Sequence, residues 1–318
     1  MRVMITGAGG LLGSNLTSAA AQRGWDAIGT YHDPDSVGNR IAESVTLDVT
    51  DPGEVEGAVA EIDPDYVINC AAMTDVDGCE ERPERAHEVN AKGPALLATC
   101  CETADVGFCQ ISTDYVFGDD AKSPITEDAS VNPLQVYGRT KLAGERMARN
   151  RHSSPLVARL SFVFGINRCR GALAGLSRWI IDRVRAGRIV PLYTDQEITP
   201  TYANDAAETV LDLVEQSAQG TYHCSNKGYA SPHEFGRYLL NRQFEQGGRN
   251  GAESGDSAEK VPGTDELISK GLMSDVDLPA DRPASVCLSV QKVESELGRN
   301  QPTWRGGIDR MLAEASPE

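Results

Sequence analysis

Apolar and polar positions alternate along the first 165 residues in two rhythms. Short apolar runs such as "RVMIT" at 2–6 are followed by longer segments with helical spacing of their apolar residues, such as "SNLTSAAAQRG". Further strands are predicted at "WDAIGTY", "DYVINCAA", "GFCQISTDYVF" and "PLVARLSFVFG", and helices near 53–61, at "PERAHEVNAKGPALLATCCETADV" and at "NPLQVYGRTKLAGERMARN". Because consecutive strands separated by helices are joined by right-handed crossovers, the pattern predicts an α/β fold with a parallel sheet covered on both faces.

Beyond residue 165 the alternation becomes less regular. Helices are predicted near 171–186, at "TPTYANDAAETVLDLVEQ", at "SPHEFGRYLL" and in two closing segments, "LSVQKVESELG" and "WRGGIDRMLAEA", with strands at "IVPLY" and "GTYHCS". The segment "EQGGRNGAESGDSAEK" at 245–260 is rich in glycine and acid, which predicts a mobile loop. We expect a large α/β domain over residues 1–165, to which later segments return, and a smaller lobe formed mainly by residues 166–318.

The charge balance of the chain bears on which classes of partner it could bind. Lys and Arg number 30 against 47 Asp and Glu, which gives a formal net charge of -17. Phosphate backbones are bound by clustered basic residues, so this composition argues against a nucleic-acid partner. The acid is spread along the chain, and we favour the hypothesis of adaptation to high salt over that of an ordinary acidic cytosolic enzyme.

The cysteines and the N-terminus bear on the compartment. Eight cysteines occur without a Cys-x-x-Cys pair or a His/Cys cluster at metal-ligand spacing, which favours reduced buried thiols and predicts no metal site. "MRVMITGAGG" reaches glycine too soon for a signal peptide, and no apolar stretch approaches the length of a membrane span. We therefore expect a soluble cytoplasmic protein without a membrane partner.

A glycine turn joins the first predicted strand to the first helix. Gly7, Gly10 and Gly13 recur there in "GAGGLLG", with Leu12 where the G-x-G-x-x-G pattern would place its last glycine. Glycine permits a tight turn and a close approach of backbone N–H groups to a pyrophosphate, and the helix N-terminus adds partial positive charge. A dinucleotide site is favoured over the alternative, a turn that merely packs against a helix.

The type of nicotinamide cofactor stays open between NADPH and NADH. The position that usually carries an acidic residue for the adenosine ribose, at the end of the second strand, is Tyr31, with His32 and Asp33 after it. Neither a carboxylate nor an arginine for a 2′-phosphate stands at that point. Asp48, after the next strand, is predicted either to hydrogen-bond the adenine or to cap a loop.

Tyr137 and Lys141 lie four residues apart in "VYGRTKLAGE". On a helix this spacing places both side chains on one face, about one turn apart. The arrangement suits a proton donor beside a cation, and the alternative is a polar helix surface.

Four motifs in order carry a resemblance to a known family: "GAGGLLG", "NCAAMTDVDGCE", "ISTDYVF" and "VYGRTKLAGE". With them the chain resembles the extended short-chain dehydrogenase/reductases, and more closely the dTDP-4-dehydrorhamnose reductase family. The likeness extends through "DQEITPTYANDAA", "GTYHCSNKGYASPHEFGRYL", "DRPASVCLSVQKV" and Trp304, so it covers nearly the whole chain. It implies a Rossmann-type doubly wound parallel sheet with a smaller C-terminal substrate lobe, and NAD(P)H-dependent reduction of a 4-keto sugar.

Ketone reduction needs a proton donor and hydrogen bonds to the developing charge on oxygen. Tyr137 is the predicted proton donor, and the Lys141 ammonium is predicted to lower the pKa of the phenol. The resemblance also implies that Lys141 holds the nicotinamide ribose. Thr113, at the end of a strand, is expected to hydrogen-bond the carbonyl oxygen.

The resemblance, together with the glycine turn, implies contacts for both ligands. The predicted cofactor site consists of Gly7, Gly10, Leu11, Leu12, Tyr31, Asp48, Val49, Cys70, Ala71, Ala72, Tyr137 and Lys141. The predicted substrate site consists of Thr74, Asp114, Tyr115, Thr201 and Arg282.

Several of these positions have a structural alternative. "NCAA" at 69–72 could simply pack, Asp114 could cap a turn, Tyr115 could pack, and Arg282 could form a surface ion pair instead of neutralising a diphosphate. Asn90 is expected to support the backbone. Ser285 and Val286 stand where the family usually carries Asn and Ser.

The function predicted first is the reduction of dTDP-4-dehydro-L-rhamnose to dTDP-L-rhamnose. Related dehydratases carry an Asp-Glu pair where this chain has Asp114 and Tyr115, so the missing base favours reduction over dehydration. Two alternatives are an NADP-binding regulatory subunit resembling that of methionine adenosyltransferase and a sugar-nucleotide epimerase. The expected partner is a nucleotide-linked sugar, and a homodimer is left open.

Overall fold

The computed structural model describes residues 1–33, 44–250 and 263–315, with side chains throughout these ranges except at 44 and at 246–250. The strands are β1 (Arg2–Thr6), β2 (Asp26–Tyr31), β3 (Ser44–Thr46), β4 (Tyr66–Asn69), β5 (Gly107–Thr113), β6 (Leu156–Leu160), β7 (Val163–Asn167), β8 (Ala172–Ala174), β9 (Val190–Tyr193), β10 (Thr201–Tyr202), β11 (Gly220–His223) and β12 (Ile268–Gly271). The α-helices are α1 (Leu11–Gln22), α2 (Pro52–Ile62), α3 (Val76–Glu81), α4 (Pro83–His87), α5 (Gly93–Ala104), α6 (Val136–Arg151), α7 (Leu176–Arg185), α8 (Ala203–Glu215), α9 (Pro232–Asn250), α10 (Thr264–Leu267), α11 (Gln291–Leu297) and α12 (Trp304–Ala315).

Seven strands form the main sheet in the order β3-β2-β1-β4-β5-β6-β11. All their pairings are parallel, and β1 lies with Ile5 opposite Gly29 of β2 and Ile68 of β4. The chain builds outward from β1 in one direction and then, from β4, in the other. This strand order creates a crevice at the carboxyl ends of β1 and β4, where doubly wound sheets bind ligands.

Helices cover both faces of this sheet because successive strand residues point to opposite faces. Val3 and Ile5 enter one apolar cluster, which includes Leu16 of α1 and Leu211 of α8. Met4 enters the other cluster, which includes residues of α2 and α5. The predicted Rossmann-type arrangement is confirmed.

A separate apolar cluster lies among the later elements. It contains Phe164, Tyr202, Phe235 and Trp304, all at most 1% exposed. Around it are a three-stranded sheet in the order β10-β7-β8 and a parallel pair of β9 and β12. The chain returns from this region to the main sheet in β11.

The predicted strand "PLVARLSFVFG" is two strands in different sheets. β6 belongs to the main sheet, whereas β7 pairs with β10 and, antiparallel, with β8. Between them Phe162 has φ +46°, and its carbonyl accepts a hydrogen bond from Thr201 N at 3.2 Å. A continuous apolar run does not reveal such a bend, because both halves are buried.

Three predicted helical or extended segments are also divided differently. The long helix predicted at "PERAHEVNAKGPALLATCCETADV" consists of α4, a π-helical segment at Glu88–Lys92 and α5. The strand predicted at "GFCQISTDYVF" ends at Thr113 and is followed by one 3₁₀ turn, Asp114–Val116. The helix predicted near 171–186 begins only at Leu176, after β8.

The acidic segment at 245–260 was predicted as a mobile loop. Its first six residues instead continue α9 to Asn250, and residues 251–260 lie outside the described residues. The two closing helices are confirmed as α11 and α12.

All eight cysteines are free, and six of them are buried. Among the described residues no helix is both long and apolar enough to cross a membrane.

Candidate active site

A cavity of about 900 Å³ opens at the carboxyl edge of the main sheet. Its walls come from the segments that follow β1, β2, β3, β4, β5 and β6, and from the first turns of α6. The predicted site residues that line it are Gly7, Gly10, Leu11, Leu12, Asp48, Val49, Cys70, Ala71, Ala72, Thr74, Thr113, Asp114, Tyr115, Tyr137 and Lys141. The structure thus brings together residues that lie up to 134 positions apart between the glycine turn and the Tyr/Lys helix.

The glycine turn places backbone donors at one end of this cavity. Gly7 has φ +64°, and a Cβ there would lie 2.8 Å from the backbone nitrogen of Ala71. Gly10 is the N-cap of α1 and supplies no side-chain cap, so the first N–H groups of that helix remain available. These donors and the helix dipole suit a pyrophosphate, and the cavity therefore fits a dinucleotide.

Substituting Gly13 by alanine is expected to weaken NADPH binding about tenfold or more. A Cβ at this position would clash with the carbonyl oxygen of Gly7, so α1 must shift away from the turn. NADPH fluorescence titration measures the effect. Gly57→Ala in α2 is the matched control, because a Cβ there meets nothing within 4 Å. Unchanged affinity in Gly13→Ala would contradict the assignment of the turn.

Asp48 takes the predicted loop-capping role, and its contact with adenine stays a prediction. Its Oδ1 accepts hydrogen bonds from Thr50 N at 2.9 Å and Thr50 Oγ1 at 2.7 Å, which is the loop-capping role. It also lines the cavity, where its Oδ2 lies 3.8 Å from His32 Nδ1 and 3.7 Å from Arg85.

The predicted contact of Tyr31 with the adenosine ribose is not supported. The side chain is 3% exposed, belongs to the apolar cluster with α1, and does not line the cavity. Because alternate strand residues face opposite sides, the last residue of β2 is turned into the core. The next residue, His32, lines the cavity instead.

Other lining residues were not predicted from the sequence. They include His32, Met73, Arg82, Arg85, Phe162, Val163 and Gly175. The two arginines lie in a helical region without any motif, so only the fold brings them to the cavity. His32 could have been found, since it directly follows β2.

The catalytic candidates converge where β5 meets α6. Tyr137 lies in the first turn of α6 and Lys141 one turn later, while Thr113 ends β5. Lys141 Nζ donates a 2.6 Å hydrogen bond to the carbonyl of Ile111, and Thr113 is close enough to the Tyr137 phenol to influence its pKa. The ring of Tyr115 packs edge-on against that of Tyr137, with centroids 6.2 Å apart.

The pKa of Tyr137 differs from the prediction. Burial raises it, Asp114 raises it further, and the hydrogen bond with Thr113 only partly offsets them, so the net direction is upward. Burial lowers the pKa of Lys141 to about 8 against the opposing effects of Cys70 and Glu145. The predicted lowering of the phenol pKa by Lys141 is therefore absent, because burial dominates and the ammonium is directed at Ile111.

Asn90 connects the cofactor side of the cavity to α6. Its side chain accepts from Met73 N at 2.8 Å and donates to Met73 O at 3.0 Å and to Thr140 Oγ1 at 3.2 Å. It lies in the π-helical segment and is fully buried. These contacts fit the expected supporting role, because they hold the loop after β4 against the helix of Tyr137.

Thr201 and Arg282 lie outside the cavity lining, so the predicted substrate contacts are not supported. Thr201 is buried and donates to Thr199 O at 3.0 Å. Arg282 donates to both carboxylate oxygens of Asp77, at 3.1 and 2.8 Å, which is the ion-pair alternative. The described residues contain no group of three or more His, Cys, Asp or Glu placed to hold a metal ion.

Comparison with known proteins agrees with this geometry. The family model of the RmlD substrate binding domain matches residues 1–316. The chain is 38% identical over 313 residues to a probable low-salt glycan biosynthesis reductase, Agl14, of Haloferax volcanii, covering 98% of each protein. It is 36% identical over 236 residues to dTDP-4-dehydrorhamnose reductase of Mycobacterium tuberculosis, covering 72% of this chain and 71% of that protein.

A solved structure extends the similarity to three dimensions. The dTDP-4-dehydrorhamnose reductase of Bacillus anthracis, in complex with NADP, superposes with a TM-score of 0.81 at 26% identity, over 98% of this chain and 99% of that one. The match thus includes both the main sheet and the later elements. The chain belongs to the family described by the RmlD substrate binding domain.

Proposed function

We propose that this protein uses NAD(P)H to reduce the 4-keto group of a nucleotide-linked 6-deoxy sugar, with dTDP-4-dehydro-L-rhamnose as the favoured substrate. The observation that carries the proposal is the convergence of Thr113, Tyr137 and Lys141 in the cavity that also contains the glycine turn. The names of the similar reductases from Mycobacterium tuberculosis and Bacillus anthracis support the same reaction.

The cavity divides into two functional ends. When bound, NAD(P)H supplies the hydride. The N-terminus of α1 would hold its pyrophosphate and the region of Asp48 and Val49 its adenine, and the small residues Cys70 and Ala71 would allow a close approach along the floor. The sugar then occupies the end lined by Thr74, Asp114 and Tyr115.

The residues at this second end perform the proton chemistry. The raised pKa keeps the Tyr137 phenol protonated at neutral pH, so it is ready to give a proton to the oxygen that was the ketone. Lys141 carries a positive charge below a pKa of about 8, and in this proposal it would hold the nicotinamide ribose beside the phenol. Thr113 holds the same substrate oxygen by a hydrogen bond.

Reduction is favoured over elimination and over a role without turnover. Among the described residues that line the cavity, Asp48 and Asp114 are the only carboxylic acids, and Asp48 lies at the adenine end. Dehydration needs a second carboxylate at the sugar end, where this chain has Tyr115. A purely regulatory subunit would not require the three polar ends of Thr113, Tyr137 and Lys141 to converge.

We extend the proposal to the organisation of the chain. Residues 1–165, with β11 returning from later in the chain, form the cofactor domain, and residues 166–318 mainly form the substrate lobe around the cluster of Phe164 and Trp304. The net charge of -17 supports function at high salt. Homodimer formation and a cytoplasmic location stay predictions.

A panel of sugars tests the proposal. NAD(P)H oxidation is followed with dTDP-, UDP- and GDP-linked 4-keto-6-deoxy sugars, at low and at molar KCl. We expect turnover with the dTDP-linked 4-keto sugar, faster at molar KCl. If no sugar caused NAD(P)H oxidation, the reductase assignment would be contradicted. Cofactor absorbance that remains after extensive dialysis would point to an epimerase.

A further inference from the structure

A buried chain of hydrogen bonds begins at Thr113, which lines the same cavity as the Tyr137 phenol. The Thr113 hydroxyl lies 3.0 Å from Asp114 Oδ1. On the far side, Ser161 Oγ donates to Asp114 Oδ2 at 2.6 Å. Thr113, Asp114 and Ser161 are each at most 6% exposed, so bulk water does not compete for these contacts.

The number of protons in this chain limits what Thr113 can do. A threonine hydroxyl has one proton and two lone pairs, and one lone pair of Thr113 accepts the backbone N–H of Tyr115 at 3.2 Å. If Asp114 is ionised, it accepts the Thr113 proton. The hydroxyl then has no proton left for a substrate oxygen.

Protonation of Asp114 reverses this arrangement. An O–H on Oδ1 donates to the second lone pair of Thr113, and the hydroxyl proton of Thr113 is then directed toward the cavity. Asp114 is 4% exposed, and its burial raises the pKa of the carboxyl to about 6 although hydrogen bonds from Ser161 and Thr113 lower it. The neutral form is thus accessible near physiological pH.

The groups around Asp114 do not favour its charged form. The titratable groups that face it are Tyr137 from α6, Tyr115 from the turn after β5 and Cys287 from the C-terminal segment. Burial raises the pKa of all three, that of Cys287 to about 11, so they are neutral in the physiological range.

Ser161 determines which oxygen of Asp114 carries the proton. The Ser161 hydroxyl accepts the backbone N–H of Thr199 at 3.4 Å, which leaves its own proton for Asp114 Oδ2. Oδ2 is therefore an acceptor, and the carboxyl proton belongs on Oδ1, next to Thr113. Thr199 is itself fixed by Leu288 N, which donates to its Oγ1 at 2.9 Å.

We propose that Asp114 acts in its protonated form as a positioning residue, which turns the Thr113 hydroxyl so that it donates to the carbonyl oxygen of the substrate. The inference rests on the proposed reductase function. It assigns Asp114 a role different from direct substrate binding, and it gives Ser161 a part in orienting Thr113.

Two substitutions at Asp114 separate this role from its alternatives. In Asp114→Asn the amide N–H takes the place of the carboxyl O–H toward Thr113, and its carbonyl accepts from Ser161. We expect kcat within about fivefold of the unmodified enzyme, whereas Asp114→Ala, which leaves Thr113 unoriented, loses about 100-fold. Circular dichroism and thermal melts show whether each variant is folded. Equal losses in folded Asn and Ala variants would overturn the proposal.

The pH profile provides a second readout. In the unmodified enzyme kcat declines as pH rises through the pKa of Asp114, from about 6 upward, because the protonated form is the active one. Asp114→Asn lacks this decline and keeps only the later one from Lys141. Ser161→Ala moves the first decline to higher pH, since the hydrogen bond from Ser161 lowers the pKa of Asp114. A profile identical in all three proteins would overturn the proposal.

A measurement without substrate distinguishes failure of the Asp114 proposal from failure of the proposed reductase function. Carboxyl ¹³C NMR of protein labelled at aspartate, with Asp114 assigned by its absence in Asp114→Asn, follows protonation directly. A midpoint near 6 supports the proposal even if no tested sugar is reduced. An Asp114 carboxyl that is already ionised at about pH 5 would overturn it whatever the activity.

Discussion

Tyr137→Phe is expected to lower kcat about 10³-fold while leaving KM and cofactor affinity nearly unchanged. The phenol is the group placed to protonate the substrate oxygen, and general acids contribute about 10²–10⁴-fold to catalysis. The ring itself remains, so its edge-on contact with Tyr115 is preserved and the cavity keeps its shape. Steady-state kinetics with the best sugar of the panel, together with NADPH titration, measures both quantities.

Tyr66→Phe is the matched control for this substitution. Tyr66 is a second partly buried tyrosine, and its hydroxyl donates to Phe108 O at 3.3 Å, outside the cavity lining. We expect unchanged kcat and a loss of about 1 kcal/mol of stability for one hydrogen bond. Full turnover in Tyr137→Phe would remove the phenol from the mechanism, and the assignment of the acid would pass to another group.

Glu145→Leu is expected to reduce the free energy of unfolding by about 3–5 kcal/mol. Glu145 is fully buried, receives hydrogen bonds from Arg159 Nε and Nη2, both at 2.8 Å, and accepts from Ser112 Oγ at 2.6 Å. Removing the carboxylate leaves the buried guanidinium of Arg159 without its main counter-charge. Urea unfolding at neutral pH measures the loss.

The double variant Glu145→Leu/Arg159→Met is the informative comparison. Replacing a whole buried ion pair by apolar side chains is often neutral, so most of the lost stability should return. The pKa of Glu145 is lowered, because the contacts with Arg159 and Ser112 outweigh burial. The pair therefore stabilises the fold above the ordinary pKa of glutamate and weakens as pH falls below it. A single variant that loses less than about 1 kcal/mol would contradict this account.

Much of the candidate site could be predicted because it depends on local rules. The glycine turn, the end of β5 at Thr113 and the spacing of Tyr137 and Lys141 are each readable within a few residues. A parallel sheet then brings all strand ends to one edge, which places these groups in one cavity.

The parts that could not be predicted depend on direction or on distant contacts. Tyr31 was placed in the cofactor site by its position at the end of β2, but the face of the sheet to which its side chain points depends on the register of the strand. Arg82 and Arg85 reach the cavity only through the packing of short helices. The apolar run through Phe162 hides a change of sheet, since its residues are buried on both sides of the bend.

The way the glycine turn binds an anion has a consequence for a protein with this much negative charge. Backbone amides at the start of α1 are neutral dipoles, fixed in place by the fold, and mobile ions screen such short contacts far less than they screen distant surface charges. Added salt weakens the repulsion between the acidic exterior and a polyanionic ligand while leaving those dipoles in position. We therefore expect added salt to maintain or increase the affinity of this protein for its coenzyme. A pocket of exposed lysines would instead bind the coenzyme more weakly as the salt concentration increases.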